Sequence, residues 1–403
     1  MTSRTRERIN VTILAGSWAL FLVAAITVMT LSGLVGDRLA PTSALATAPI
    51  AAMMLGILAA TLPASLLMKR HGRRAGFVLG GLIGAAGGGV SVAGIAAGSF
   101  AVFVAGNFLL GAYQAFANYY RFAAADAASP SWRSRAISLV MAGGVVAAFL
   151  GPWNARYAAD LLPTPDAGPY AVMLALALVA TLALSRLRIP GEEEARAGAQ
   201  RPLRDIVQQP DVPVAVSASA VGYALMILAM TATPLAMREH GFGMAETATV
   251  MQWHVLGMFA PSFVTGHLIA RYGTGNVLLA GAAVMAAAGV TAATGTTMPH
   301  FWLALVLLGI GWNFLFVGGS SLLAAAHTPA ERGKVQGAND LVVFSTVAAG
   351  SLLAGTLLHL ASWTALNLAM LPALAAIVVI VLRWQRQTRR HVSPSSPAKA
   401  DPV

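Results

Sequence analysis

The chain has 403 residues, 57% hydrophobic and only 10% charged, with a mean hydropathy of +0.71 and a formal net charge of +11. A soluble domain carries about 25% charged residues, so this chain has too few charges to coat a water-facing surface and reads as a polytopic membrane protein. Cysteine is absent, which excludes disulfides and thiolate metal sites.

Apolar runs long enough to cross a hydrocarbon core of about 30 Å recur from end to end. They predict twelve helices, near 10–35, 43–68, 75–97, 99–124, 136–158, 168–188, 212–237, 245–270, 275–296, 300–325, 337–360 and 362–383. All are helices because backbone in lipid must satisfy its own hydrogen bonds. The first run is too long for a signal-peptide core of about 7–15 residues and reads as a retained span. With the N-terminus in the cytoplasm, 22 of the 26 Lys and Arg residues fall on the cytoplasmic side, three (Arg38, Arg156, Arg238) fall outside, and Arg121 lies within a span. Such an imbalance is what the positive-inside rule requires. It predicts a multi-pass membrane protein with both termini cytoplasmic, and it explains the basic charge without a nucleic-acid partner. The expected organisation is a six-helix bundle over 1–188, a cytoplasmic linker over 189–211, a second bundle over 212–384 and a disordered tail over 385–403.

The two halves repeat. LLMKRHGRRAG follows the second span and LIARYGTGN follows the eighth, matching Arg70-x-Gly72 to Arg271-x-Gly273. SPSWRSR (129–135) follows the fourth span and TPAERGK (328–334) the tenth. Arg70 and Arg133 are 63 residues apart, Arg271 and Arg332 are 61 apart, so the two matches stand in register. Duplicated six-helix halves are one plan of secondary transporters, with the solute site near mid-membrane between them.

Here the sequence resembles the major facilitator superfamily, whose loop between spans two and three follows G-x-x-x-D-R-x-G-R-R. The chain has Ser65, Lys69, Arg70, Gly72, Arg73 and Arg74 at these positions, so the basic part is intact while the acid and the first glycine are replaced. The second copy keeps Gly266, Arg271 and Gly273. The resemblance implies an all-α membrane fold of twelve transmembrane helices in two pseudo-symmetric bundles. It also implies alternating access, a small organic solute as cargo, and proton coupling. It further implies a latch formed by the basic loop. Lys69 or Arg70 is expected to meet Asp340 near the start of the eleventh span, and Asp126 is the natural partner of Arg73. The bland alternative is that these charges only set topology.

Polar groups inside spans are functional candidates, although many only join helices. In the fourth span Asn107, Gly111, Gln114 and Asn118 recur at helical spacing on one face, flanked by Tyr113 and Tyr120. Asn107-x-x-x-Gly111 stands where many proton-linked drug antiporters of the superfamily have R-x-x-x-G. Arg121, one step below Asn118, either contacts an anionic solute or pairs with Asp126. In the eighth span Trp253 and His254 lie in the outer half, where His254 is either a proton-coupling group or a histidine bonded across helices. Trp312 and Asn313 sit mid-span in the tenth. With Trp18 and Tyr223, these residues suit a flat aromatic or amphipathic solute held by stacking and amide hydrogen bonds. Gly80, Gly84 and Gly88 in the third span read as a close-packing face, and Gly151-Pro152 in the fifth as a kink with a weak hint of export.

No P-loop or H-E-x-x-H is present, and no paired catalytic groups share a depth. An enzyme embedded in the membrane is therefore the remoter alternative, and no cofactor is expected. The expected partners are the solute, protons and membrane lipids, with the chain acting as a monomer. The stretches QAFANYYRFAAADAASPSWRSRAISL and WHVLGMFAPSFVTG resemble a bacterial subgroup of vitamin carriers of the riboflavin type. A polyspecific drug or metabolite exporter is the alternative.

Overall fold

A computed structural model describes residues 3–42, 45, 48–189 and 201–392. The N-terminal half comprises α1 (Ser3–Leu39), α2 (Ala48–His71), α3 (Arg73–Ala96), α4 in two segments (Phe100–Ala117 and Tyr120–Ala127), α5 in two segments (Arg133–Ala142 and Gly144–Tyr157) and α6 (Ala167–Leu184). A short helical turn, Leu203–Val207, leads into α7 (Asp211–Glu239). There follow α8 in two segments (Met244–Phe259 and Ser262–Tyr272), α9 (Thr274–Thr294), α10 (Met298–Ala325), α11 (Arg332–Ala361) and α12 (Trp363–Leu368 and Met370–Val392). No strand occurs among the described residues.

Among the described residues, ten helices are long and apolar enough to span a membrane. Of the others, α8 is broken at Ala260-Pro261, where proline removes a backbone donor, and α11 carries Arg332, Lys334, Gln336, Asn339 and Asp340 in its first turns, ahead of the apolar run 341–358. Several helices overrun the predicted spans, while α6 and α9 stop two to four residues short of theirs. The 37 residues of α1 reach about 55 Å, because nothing obliges a helix to stop where the apolar run stops. For the same reason α12 continues to Val392, through the first residues of the expected tail; the rest of that tail, and residues 190–200 of the expected linker, lie outside the described residues.

The repeat is visible in the backbone. Gly72 between α2 and α3 and Gly273 between α8 and α9 are single-residue turns with φ of 93° and 83°. Their ψ values of 160° and 152° place both in a region open essentially only to glycine. Helix crossings repeat as well. A Cβ on Gly56 or Gly111 of α2 and α4 would strike the carbonyls of Phe108 and Met53, and one on Gly257 or Gly309 of α8 and α10 would strike those of Val306 and His254. Likewise Gly80 receives Phe116, and Gly281 receives Phe314. The residues on α2 and α3 recur 201 positions later, and those on α4 recur 198 positions later. Within each half the small residues let backbones approach closely, which is how helices associate without a hydrophobic drive in lipid. The glycine face of α3 does this: Gly80, Gly84 and Gly88 admit Phe116, Tyr113 and Leu174.

Between the halves, α2 packs on α11, α5 on α8, and α4 and α5 on α10. The three helices with mid-course breaks, α4, α5 and α8, all belong to this set.

Candidate transport site

The polar stripe of α4 divides by depth into residues that hold helices together, Asn107 and Gly111, and residues with unpartnered amide atoms, Gln114 and Asn118. Asn107 is fully buried and accepts from Ser32 Oγ of α1 at 2.8 Å, while its own amide donates to the Phe103 carbonyl. Ser32 also meets the Tyr170 hydroxyl of α6 at 2.7 Å, so Asn107 closes a joint among α1, α4 and α6. Gly111 is the α2–α4 crossing described above. Gln114, by contrast, lines a narrow, roughly water-sized cleft with Phe21, Val28, Met53, Tyr113 and Met173. Its Oε1 has no hydrogen-bond partner. Tyr113 stands edge-on to Phe21 at 5.3 Å, and Phe21 in turn lies 5.3 Å from Trp18.

In the second half the position equivalent to Gln114, 198 residues later, is Trp312. Trp312 stacks on Phe316 with centroids 5.0 Å apart, and the edges of Tyr223 and Phe259 meet it at 5.2 and 5.8 Å. Phe344 completes the cluster against Tyr223. Asn313 is occupied: its Oδ1 accepts from Thr265 Oγ1 at 2.7 Å, and its Nδ2 donates to the Met258 carbonyl and to Ser262 Oγ. These bonds brace α8 on both sides of its break at Pro261, where helical bonding is incomplete. His254 is fully buried and directs Nδ1 at the Leu305 carbonyl, 2.7 Å away; since a carbonyl only accepts, the proton sits on Nδ1, and His254 bonds across to α10. Trp253 is 46% exposed and pairs with Trp302 on the outer surface, away from the cleft.

The halves meet through charge. Arg121 donates to Asp340 Oδ1 at 2.6 Å, and both side chains are 1% exposed. The guanidinium also donates to Ser320 Oγ and to the Asn118 carbonyl beside the α4 break. It lies between the rings of Phe122 and Phe316, 4.4 and 4.6 Å from their centroids. Asn339 donates to the same Asp340 oxygen; Oδ2 of Asp340 and Nδ2 of Asn118 have no partner.

Two sequence expectations are corrected here. Arg121 pairs with Asp340 instead of Asp126, because five residues along a helix turn two side chains about 140° apart. Asp340 is not the partner of Lys69 or Arg70. The Lys69 stem lies against Gly333 in the first turn of α11 and Arg70 is exposed, whereas Asp340 lies about 10 Å deeper along the same helix.

Arg73 does meet Asp126, at 2.9 Å, and Arg332 of the second half approaches the same oxygen at 3.3 Å. Arg73 also donates to Gln336 of α11, whose amide nitrogen faces His327 Nε2 at 3.1 Å. Burial lowers the His327 pKa, partly opposed by Asp126. Residue Arg201 forms a two-pronged bond to Glu331 at 2.6 and 2.7 Å, holding that carboxyl well below the usual range. Sequence reading missed Ser320 and Gln336, since neither forms part of a stripe or motif.

Next to these charges are two matching close approaches. Ser65 of α2 donates to the Gly333 carbonyl of α11. At the equivalent crossing, Gly266 of α8 lies against Ser134 and Arg135 of α5, where an added Cβ would come within 2.6 Å of the Arg135 Cα. Each crossing thus sets one serine against one glycine. All these cross-half bonds lie from the level of Arg121 to the end of the molecule that carries the basic loops, so that end is closed.

Comparison with known proteins agrees with the fold. The family model for the Major Facilitator Superfamily matches residues 13–260 and 214–403. The chain is 42% identical over 388 residues to the riboflavin transporter RfnT of Brucella anthropi, covering 95% of this chain and 98% of that one. It is 29% identical over 377 residues to the uncharacterized MFS-type transporter YdeG of Bacillus subtilis, covering 89% and 87%. Among solved structures, the human organic anion transporter MFSD10 superposes with a TM-score of 0.74 at 18% identity, over 93% of this chain and 99% of that one. The transporter FucP in its outward conformation also gives 0.74, at 14% identity, over 94% and 99%. Twelve helices in two repeated bundles, the R-x-G turns and an end-to-end family match agree: the chain is a multi-pass membrane transporter that belongs to the Major Facilitator Superfamily.

Proposed function

We propose that the protein imports riboflavin or a closely similar flat, amphipathic vitamin across the bacterial inner membrane, by alternating access coupled to protons. The observation that carries the substrate class is the 42% identity, along 95% of the chain, to a protein named as a riboflavin transporter. The cleft beside Gln114 supports it, being apolar and aromatic with one free amide. In this reading both termini and the closed basic end face the cytoplasm, so the conformation is outward-facing. The unit is a monomer in lipid, divided at the 189–211 linker, and it leaves its solute chemically unchanged.

Coupling is assigned to the Arg121–Asp340 pair. A proton on Asp340 removes the charge that holds Arg121 and with it one tie between α4 and α11. Lys69, Arg73, Asp126 and Arg332 act as the latch at the cytoplasmic rim. Gln114, Tyr113 and Asn118 contact the solute, with Trp312 as an aromatic wall. Asn107, Asn313 and His254 brace helices, and Trp253 faces lipid. The test is riboflavin accumulation in proteoliposomes with an imposed pH gradient, read by flavin fluorescence. Saturable, gradient-dependent uptake that is lost in Asp340→Asn is expected. Uptake no greater than in protein-free liposomes rules the substrate out.

A further inference from the structure

The two corners where the halves meet at the basic end are copies of each other. Ser65 of α2 meets Gly333 of α11, and Gly266 of α8 meets Ser134 of α5. From one corner to the other the partners lie 201 and 199 positions apart. The same offsets relate Gly151, whose added Cβ would strike Ile26 of α1, to Gly350, whose Cβ would meet Ile227 of α7. In this frame Trp132-Arg133-Ser134-Arg135 corresponds to Glu331-Arg332-Gly333-Lys334, so each corner brings two cations to the start of a helix. One corner has its charges balanced. Arg332 lies 3.3 Å from Asp126, Lys334 donates to the Arg201 carbonyl, and Glu331 holds the Arg201 guanidinium. At the other corner three alanines, Ala324-Ala325-Ala326, span the place of Asp126, and Trp132 stands in that of Glu331. Arg133 and Arg135 are half-buried, and among the described residues neither has an ionic or hydrogen-bonded partner. The Nε of Arg135 is shut off from solvent as well. The acid that reaches this loop, Glu7 of α1, is taken by the Ser129 N–H and hydroxyl. Arg271, about 7.5 Å along α8 from Gly266 toward the same end, adds a further cation. The dipole at the start of α5 reinforces this positive field.

A partly desolvated charge without a counter-charge is costly, so this corner calls for an anion from outside the chain. Its surroundings say which kind. Leu139, one turn beyond Arg135 on α5, is 36% exposed, and Phe263 and Val264, within a turn of Gly266 on α8, are 56% and 53% exposed. This end of the molecule is closed, so these side chains face acyl chains and not a cavity. We propose that the phosphate headgroup of an anionic phospholipid seats between α5 and α8 at this corner, ion-paired to Arg133 and Arg135 with Arg271 at its edge, and with its acyl chains against Leu139, Phe263 and Val264. Guanidinium forks match phosphate oxygens two at a time, and basic pockets between membrane helices at headgroup level bind anionic lipids. The lipid supplies the counter-charge that Asp126 supplies at the other corner. It ties α5 to α8 across the halves, as Asp126 ties α4 to α11.

The test uses the purified full-length protein in a nonionic detergent, titrated with phosphatidylglycerol or phosphatidylcholine. Lipid retention is read by native mass spectrometry and the melting temperature is followed alongside. The wild type should retain phosphatidylglycerol in preference to phosphatidylcholine and melt higher with it. Arg133→Gln with Arg135→Gln should weaken phosphatidylglycerol binding about 25-fold, about fivefold for each arginine. Arg74→Gln with Arg386→Gln removes two exposed cations elsewhere at the same end and should leave binding nearly unchanged. Without added lipid, Arg133→Gln with Arg135→Gln should melt no lower than wild type, because it removes charges that have no partner; its loss of binding is then not a loss of fold. Equal retention of the two lipids, or the same loss in both pairs of substitutions, overturns the inference. Stabilisation by inorganic phosphate equal to that by phosphatidylglycerol overturns it too, by making the corner a site for soluble anions. So does phosphatidylglycerol binding that appears only after Glu192→Gln, Glu193→Gln and Glu194→Gln together, since the linker would then supply the counter-charge.

Discussion

The Arg121–Asp340 pair offers the sharpest test of how the halves are held together. Asp340→Asn preserves shape and the Asn339 contact but leaves the Arg121 guanidinium buried at 1% exposure without its counter-charge. Removing one partner of a buried pair costs about 3–5 kcal/mol. Arg121 keeps its bonds to Ser320 and the Asn118 carbonyl and its two ring contacts, so the lower figure of about 3 kcal/mol is the appropriate one. The pair joins α4 to α11, so only the form closed at the basic end loses it. The closed-to-open ratio should therefore fall roughly a hundredfold, at about 1.4 kcal/mol per factor of ten. Arg121→Gln alone should do the same by stranding Asp340, and the double variant should return to within about 1 kcal/mol of wild type, because no uncompensated charge remains. The chain has no cysteine, so Arg74→Cys with Ala325→Cys, both exposed at the basic end of opposite halves, gives a clean spin-label pair. Distance distributions for the four proteins yield the coupling energy. A coupling below about 0.5 kcal/mol, the additivity limit for independent sites, refutes the reasoning.

Three further outcomes use the same reporter or simple melting. Gly266→Val should drive the basic end open, since its Cβ meets the α5 backbone at 2.6 Å and overpacking costs about 1–3 kcal/mol. Gly16→Ala, with nothing within 4 Å of the new Cβ, should leave the distance unchanged. Acidification should loosen the latch. Neutral His327 accepts from Gln336, which in turn accepts from Arg73, and Asp126 and Arg332 face the same group. The closed form lowers the His327 pKa, so its stabilising contribution is complete above about pH 6.5, the unperturbed value. It is lost as pH falls through the lowered value. His327→Asn should flatten that dependence, and an unaltered pH profile in this variant counts against the relay. Gly72→Ala and Gly273→Ala should each destabilise by about 1–3 kcal/mol, because both occupy a glycine-only conformation; melting curves matching wild type would contradict the turn geometry.

Much of the architecture is legible in the sequence because each feature depends on local composition. Twelve apolar runs, the Lys and Arg imbalance and the two R-x-G loops all lie along the chain, and a helix in lipid needs no partner to satisfy its backbone. The site is legible only in part. Periodicity places Asn107, Gly111, Gln114 and Asn118 on one face of α4, but a face is shared by several neighbours at different depths. Asn107 is taken by Ser32 of α1 and Gly111 by α2, whereas Gln114 lines the cleft and Asn118 leaves its Nδ2 unpartnered.

The number of spans, the duplication and the chemical kinds of group inside the membrane follow from local composition along the chain. Which charges meet depends on how the folded bundles place them. Arg121 and Asp340 are separated by 219 positions, and no spacing rule acts over that distance. They pair because α4 and α11 are brought against each other at one depth, while Asp126, nearer to Arg121 in the chain, faces Arg73 and Arg332 across another edge of the same helix. Gln114 and Trp312 likewise become comparable only once the two bundles are folded and their crossings aligned.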